Sequence, residues 1–121
     1  MVNSKEASFA YLETLSDEQL CAACQLGNRN AEEVLAARYH RLVRSIARPY
    51  FLAGGDNEDL LQEGMVGLIK AMREYDPHQA ASFCTFAEVC IRRRLYSVLK
   101  SASSGKHQPL NQAIPLNPSF F

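Results

Sequence analysis

Apolar positions recur at three- and four-residue spacing along most of this chain, and that spacing predicts helices. Ser16 with Gln19 reads as a capping box opening a short helix, and Gly27 closes it. Asn30 with Glu33 opens a second helix, on which Val34, Leu35, Leu42, Val43 and Ile46 share one side; Gly54-Gly55 ends it. Pro49 lies inside that helix, removes a backbone hydrogen bond at a cost of ~3 kcal/mol, and predicts a kink or a short break. Asp56 caps a third helix with a buried stripe of Leu60, Leu61, Leu68, Ile69 and Met72. Gly64 and Gly67 each cost that helix up to ~1 kcal/mol relative to alanine, so they imply a neighbouring helix packed very close. The stretch DPHQAAS is a turn, and Ser82 caps a last helix running from Phe83 to about Ala102. The final SSGKHQPLNQAIPLNPSFF has no periodicity and three prolines. The fold class is therefore all-α, a compact bundle of about four helices with an irregular C-terminal tail. Residues 1–15 read as a flexible N-terminal segment, 16–103 as the helical domain and 104–121 as a linker or tail.

The last helix carries more than a core stripe. On a helical wheel, Ala87, Ile91, Leu95 and Val98 form an adequate buried side without any arginine. Phe83, Phe86, Val89, Cys90, Arg93, Tyr96, Ser97 and Lys100 fall on another. Rings interleaved with cations suit single-stranded nucleic acid, because rings stack on bases and cations neutralise phosphates. The plainer alternative makes Phe83 and Phe86 core residues and leaves the arginines to solubilise the helix. Arg92 has an ordinary partner in Glu88, four residues earlier. On the third helix, Asp59, Gln62 and Glu63 share a polar face beside Met65 and Val66, which is either solvated or an acidic docking surface for a basic protein.

Composition sharpens this picture. The formal net charge is zero, yet residues 1–37 carry −4, 38–55 carry +4, 56–76 carry −4 and 77–121 carry +4. Such segregation suggests distinct surfaces for distinct partners. Hydrophobic residues make up 47% and charged residues 21%, which is the composition of a folded protein. No apolar run approaches the ~20 residues of a membrane span, and the N-terminal sequence lacks the apolar core of a signal peptide, so a cytoplasmic location is expected. Cys21 and Cys24 make a CxxC, but Cys84 and Cys90 do not complete a zinc-binding spacing, and all four lie among apolar neighbours. They read as reduced thiols, with no metal and no cofactor. No Ser/His/Asp or Cys/His grouping appears, and His40, His78 and His107 are scattered, so no catalytic residue is assigned and an enzyme is the least supported reading.

The third helix and the segment after it resemble a known family. EDLLQEGMVGLIKAMREYD is similar to the signature of region two of bacterial RNA polymerase sigma factors. SFCTFAEVCIRRRLYSVLKSASSGKHQPLN resembles the helix those proteins use on the promoter, and RSIARPYFLAGGDNEDLLQEG and KHQPLN are similar to the sigma-H type, alternative sigma factors of spore-forming bacteria. The resemblance covers roughly residues 16 to 111 and implies a factor that binds core RNA polymerase and melts the promoter minus-ten element. It implies that Asp59, Gln62 and Glu63, with Met65 and Ile69, bind the clamp helices of the β′ subunit. It also implies that Phe83, Thr85 and Phe86 open the DNA and hold the non-template single strand, and that Tyr75 lines a pocket for a flipped base. Arg93 and Tyr96 would read the upstream duplex edge, with Val89, Arg94 and Lys100 in the same DNA-binding set. An anti-sigma factor is a further partner class, and no membrane partner is implied.

Three departures from the pattern matter. Val89 and Cys90 stand where housekeeping members carry paired tryptophans, Gln79 replaces a basic pocket residue, and Ser104 interrupts a basic run. The chain stops just after the linker toward a second DNA-reading domain, and so reads as an isolated region-two domain. A competing reading from a different class is a protein-interaction module that binds polymerase or an anti-sigma factor without touching DNA.

Overall fold

The computed structural model describes residues 4–52, 57–79 and 81–103. Five helices run in order: α1 (Ser4–Leu12), α2 (Asp17–Gln25), α3 (Arg29–Leu52), α4 (Asn57–Glu74) and α5 (Phe83–Ser103). Among the described residues there is no strand. The all-α class holds, and the four helices that the pattern predicts are joined by α1, which it does not predict.

The start of α2 is the expected capping box. The Ser16 hydroxyl accepts from the Gln19 N–H at 3.1 Å, and the Gln19 side-chain oxygen accepts from the Ser16 N–H at 2.9 Å. The helix ends where Gly27 takes φ +96, a left-handed conformation that glycine adopts at no steric cost. The chain then turns into α3 two residues earlier than predicted. Asn28, not Asn30, is the cap, its side-chain oxygen accepting from the Ala31 N–H at 3.0 Å.

Pro49 does not break α3, which is continuous from Arg29 to Leu52. The proline sits near the C-terminal end, and Ile46, Ala47 and Tyr50 on either side are all buried. Packing therefore holds the backbone where one hydrogen bond is lost. α1 is short and lacks a strong apolar stripe, so it depends on its neighbours. Leu12 is buried, and Phe9 packs against the core from the edge. An isolated helix of this length is not stable in water, which is why the pattern does not announce it.

α3, α4 and α5 form the central layer, with the most extensive pairing between α4 and α5. The two glycines of α4 make that pairing possible. A Cβ on Gly67 would lie 3.0 Å from the Arg94 Cβ, 3.1 Å from the Cys90 carbonyl oxygen and 3.1 Å from the Ile91 Cα, so the α5 backbone lies directly against that of α4. A Cβ on Gly64 would meet Val43 Cγ1 at 2.6 Å, on the α3 side. The close helix neighbour expected from these glycines is present on both sides.

The core gathers Leu20, Leu35, Val43, Leu68, Met72, Ile91 and Leu95, all fully buried. On α5 the buried line is Phe83, Ala87, Ile91, Leu95 and Leu99. Leu99 replaces the predicted Val98, which is half-buried. Four-residue steps overshoot the ~3.6 of a helical turn, so the stripe slants around the helix as α5 proceeds.

Candidate functional site

Two exposed faces carry the candidate residues, one on α4 and one on α5. On α4, Asp59, Gln62 and Val66 are exposed, while Met65 and Ile69 are half-buried beside them. Val66 is 44% exposed, which makes it one of the few large apolar side chains of the described residues that face water. Acidic and amide groups around an apolar patch make a surface suited to a protein partner, since apolar area supplies affinity and polar groups supply register. Glu63 lies at the border of this face, turned toward α5. Its Oε1 accepts from Arg94 Nε at 2.8 Å and lies 2.6 Å from Arg94 Nη2. Arg94 reaches it by crossing α4 at Gly67, where its own Cβ would stand 3.0 Å from a glycine-replacing methyl.

On α5, Thr85, Phe86, Val89, Arg93, Tyr96 and Lys100 fall within about 100° of arc on the side opposite the core. Thr85, Arg93 and Lys100 are exposed, and Phe86, Val89 and Tyr96 are half-buried. The Lys100 ammonium sits 5.9 Å from the centre of the Tyr96 ring, a cation–π arrangement that holds both side chains on the ridge. Rings and cations therefore do alternate along one outward line.

Two expected DNA-contacting rings are elsewhere. Phe83 is fully buried and Tyr75 is 6% exposed. Phe83 begins the buried line of α5, so the periodicity that places it with Ala87 and Ile91 also removes it from the ridge. Its ring is met edge-on by Tyr39 at 5.3 Å and by Tyr75 at 5.5 Å. The plainer reading of Phe83 as a core residue is the one realised in this conformation. Tyr75 donates its hydroxyl to the Ala81 carbonyl at 2.9 Å, closing the turn before α5, and its ring leans on Phe86 at 5.7 Å. Together these rings form a rigid backing behind Phe86, with a T-shaped geometry worth ~0.5–1.5 kcal/mol per pair beyond burial. Arg94 also leaves the ridge, being tied to Glu63.

The sequence alone does not reveal how the start of α5 is held. Ser82 caps it as predicted, accepting from the Thr85 N–H at 3.2 Å. Glu18 of α2 reaches across to accept from the Phe83 N–H at 3.1 Å. Gln25, at the end of α2, donates to the carbonyls of Met72 and Tyr75 at 3.1 and 2.8 Å and so closes the end of α4. Asp17 accepts from Arg38 at 3.0 Å and from the Tyr39 hydroxyl, which clasps α2 to α3. These contacts join side chains to partners 21 to 65 residues away, and no local pattern predicts them.

The thiols are spread over the molecule. Cys21 is buried, Cys24 and Cys90 are half-buried and Cys84 is exposed, all of them free. Burial pushes the Cys21 thiol up to about 12 and the Cys24 thiol up to about 11, with nearby carboxylates adding to the effect. A CxxC built for thiolate chemistry would be shifted the other way.

With this geometry in view, known proteins give a consistent match. Residues 35–104 match the family described as Sigma-70 region 2. The chain is 41% identical over 107 residues to the RNA polymerase sigma-H factor of Bacillus subtilis (strain 168), covering 88% of this chain and 49% of that protein. It is 40% identical over 107 residues to the sigma-H factor of Bacillus licheniformis, covering 88% of this chain and 48% of that one. The sigma factor FliA of Pseudomonas aeruginosa is 44% identical over 69 residues, 53% of this chain and 27% of that protein. The chain thus spans about half the length of the two sigma-H relatives. The family's match runs through most of α3 and all of α4 and α5, the last two of which carry the candidate faces, and the chain belongs to the sigma-70 family through its region 2.

Proposed function

We propose that this domain serves transcription initiation in the bacterial cytoplasm by holding core RNA polymerase through α4 and minus-ten promoter DNA through α5. The observation that carries the reading is the pairing of two unlike exposed faces on adjacent, closely packed helices. The α4 face is acidic with an apolar centre, as a protein contact requires. The α5 ridge alternates Phe86, Arg93, Tyr96 and Lys100, as a separated DNA strand requires. Asp59, Gln62 and Glu63, with Met65 and Ile69, meet the β′ clamp helices. Phe86 stacks on an extruded non-template base, braced by Tyr75 and Phe83. Thr85 and Val89 flank it, Arg93 and Tyr96 read the duplex edge, and Lys100 and Arg94 meet phosphates.

The test uses core polymerase, this chain and a promoter fork with a single-stranded minus-ten element. Changing Gln62 and Glu63 together to alanine weakens core binding and leaves the fold intact, because replacing exposed Gln62 costs within about 0.5 kcal/mol and losing the partly exposed Glu63–Arg94 pair ~0.2–1 kcal/mol. Lys100→Ala weakens all DNA sequences alike and flattens the salt slope by about one unit. Phe86→Ala removes ~1–3 kcal/mol of stacking and hurts strand separation, read by base reactivity, more than duplex binding. Arg93→Ala relaxes discrimination at one base pair by ~1–3 kcal/mol. Equal, salt-sensitive losses from all three DNA-face changes would reduce the ridge to a nonspecific basic patch.

A second reading, an interaction module that binds polymerase or an anti-sigma factor without DNA, draws on one observation. Arg94 is engaged by Glu63, and Tyr75 and Phe83 are buried, so these three DNA candidates are turned away from DNA in the unbound domain. Intact core binding with no strand separation by any variant or by the parent chain would favour it.

A further inference from the structure

The +4 block over residues 38–55 has no role in either face described above. Three of its arginines, Arg41, Arg44 and Arg48, are exposed on the side of α3 opposite Tyr39, Val43, Ile46 and Tyr50, which are buried. Their spacing of three and four residues stacks them along one line of the helix. Arg38, Arg73, Arg92 and Arg94 each have a carboxylate partner, whereas none of these three forms an ion pair with another described residue. Like charges at this spacing repel one another. The fold gathers them without neutralising them, although the chain has as many acidic as basic side chains.

Between the arginines lies a groove of about 440 Å³, lined by Arg41, Arg44, Ser45, Arg48 and Phe51. Phe51 is half-buried and packed on the core, so its exposed edge is a fixed apolar floor at one end. A phosphate-binding patch needs no such floor. Nor, among the described residues, does a cationic track connect this groove to the α5 ridge. The flank of α5 near Tyr50 carries Arg92, and that charge is taken by Glu88 at 2.9 Å. Guanidinium groups bind carboxylates through paired hydrogen bonds. A helix with acids at i, i+3 and i+7 presents them at the same interval as Arg41, Arg44 and Arg48, with an apolar line beside them for Phe51.

We propose that the outward face of α3 is a docking surface for an acidic amphipathic helix of a protein partner, with Arg41, Arg44 and Arg48 on its carboxylates and Phe51 on its apolar side. This surface is separate from the α4 and α5 faces and does not depend on the function assigned to them.

The probe is a synthetic stapled helix, fluorescein-labelled, with glutamates at i, i+3 and i+7 and leucines on the adjacent line. A shuffled peptide of the same composition and a short DNA duplex are the comparators, and binding to the whole chain is read by anisotropy. Two variants interrogate the site in different ways. Arg44→Glu with Arg48→Glu reverses the charge, and Ser45→Trp fills the groove while keeping every arginine; circular dichroism verifies the fold of both. The patterned helix is expected to bind saturably and more tightly than the shuffled peptide or the duplex. Charge reversal should weaken it by about tenfold or more, in line with breaking close interfacial charge pairs. Groove filling should weaken it several-fold, while Arg93→Ala on the far ridge leaves it unchanged. The proposal is overturned if the patterned helix does not bind. It is equally overturned if the shuffled peptide and duplex bind as well and Ser45→Trp changes nothing, which would mean a general polyanion patch.

Discussion

Glu63 and Arg94 stand between the two proposed surfaces and belong to both. Their ion pair is partly exposed, at 32% and 42% of the side chains. Such pairs contribute ~0.2–1 kcal/mol after solvent screening. A double-mutant cycle on thermal stability with Glu63→Gln and Arg94→Gln should return a coupling within that range. In the domain without polymerase, Glu63→Gln should raise affinity for single-stranded promoter DNA by about 1.4- to fivefold, the ratio that range implies, and Arg94→Gln should abolish the gain. A gain that survives Arg94→Gln would be only the loss of one negative charge. The thiols make a second prediction at this scale. In the folded chain Cys84 is the exposed thiol and should react first with a disulfide reagent, a phase that Cys84→Ser removes. Cys21 and Cys24 have folded values of about 12 and about 11, above the ordinary 9.0. A raised thiol value means that the folded state binds protons more tightly than the unfolded state. Its stabilising contribution is fully present below about pH 9 and is lost as pH rises toward 11 and 12. Urea midpoints should therefore hold between pH 7 and 8 and fall by pH 10. A midpoint unchanged at pH 10 would show that these thiols do not titrate differently on unfolding.

At the scale of helices, the α4–α5 seam is the feature whose removal is most informative. Gly67→Ala adds a methyl at 3.1 Å from backbone atoms that cannot rotate away. Alanine gains up to ~1 kcal/mol of helix propensity, while overpacking costs ~1–3 kcal/mol, so the net change should be destabilising by up to about 2 kcal/mol. A variant as stable as the parent in denaturant titration would mean that the seam has room to open. This seam also measures what was legible in the sequence. Gly64 and Gly67 declare a close neighbour because they violate helix propensity, and Ser16, Gln19, Ser82 and Gly27 declare the helix ends because capping is local. Phe83 sits among apolar residues by one period and among cations by another, and only tertiary packing decides between them. Pro49 misleads because flanking core residues outweigh one lost hydrogen bond. Asn28 rather than Asn30 caps α3, since either residue satisfies the local rule and the turn at Gly27 selects the first. The Asp56 cap, the Gly54-Gly55 end and the tail lie outside the described residues. α1 is not legible because its stability comes from α3 rather than from its own nine residues.

Across the whole molecule, the charge blocks along the chain become separate surfaces. The arginines facing carboxylates lie at seams between helices or within one, as Arg38 with Asp17 and Arg92 with Glu88 do, while Arg41, Arg44 and Arg48 lie on the outward side of α3. Acidic α4, the mixed ridge of α5 and basic α3 thus point at three different environments while the total charge stays at zero. No described helix is long and apolar enough to cross a membrane. The hydrogen bond from the Phe83 N–H to Glu18 spans 65 residues and has a consequence for how the chain is made. α2 is synthesised before α5, but a helix of nine residues is not stable alone, so the Glu18 carboxylate and the first turn of α5 become ordered together. Closing so long a loop costs chain entropy, and the burial of Phe83 at the same point offsets that cost. Glu18→Ala should therefore speed hydrogen exchange at residues 83–86 while exchange in the middle of α3 stays slow. Equal acceleration throughout would mean that the clasp supports the entire fold and not only the start of α5.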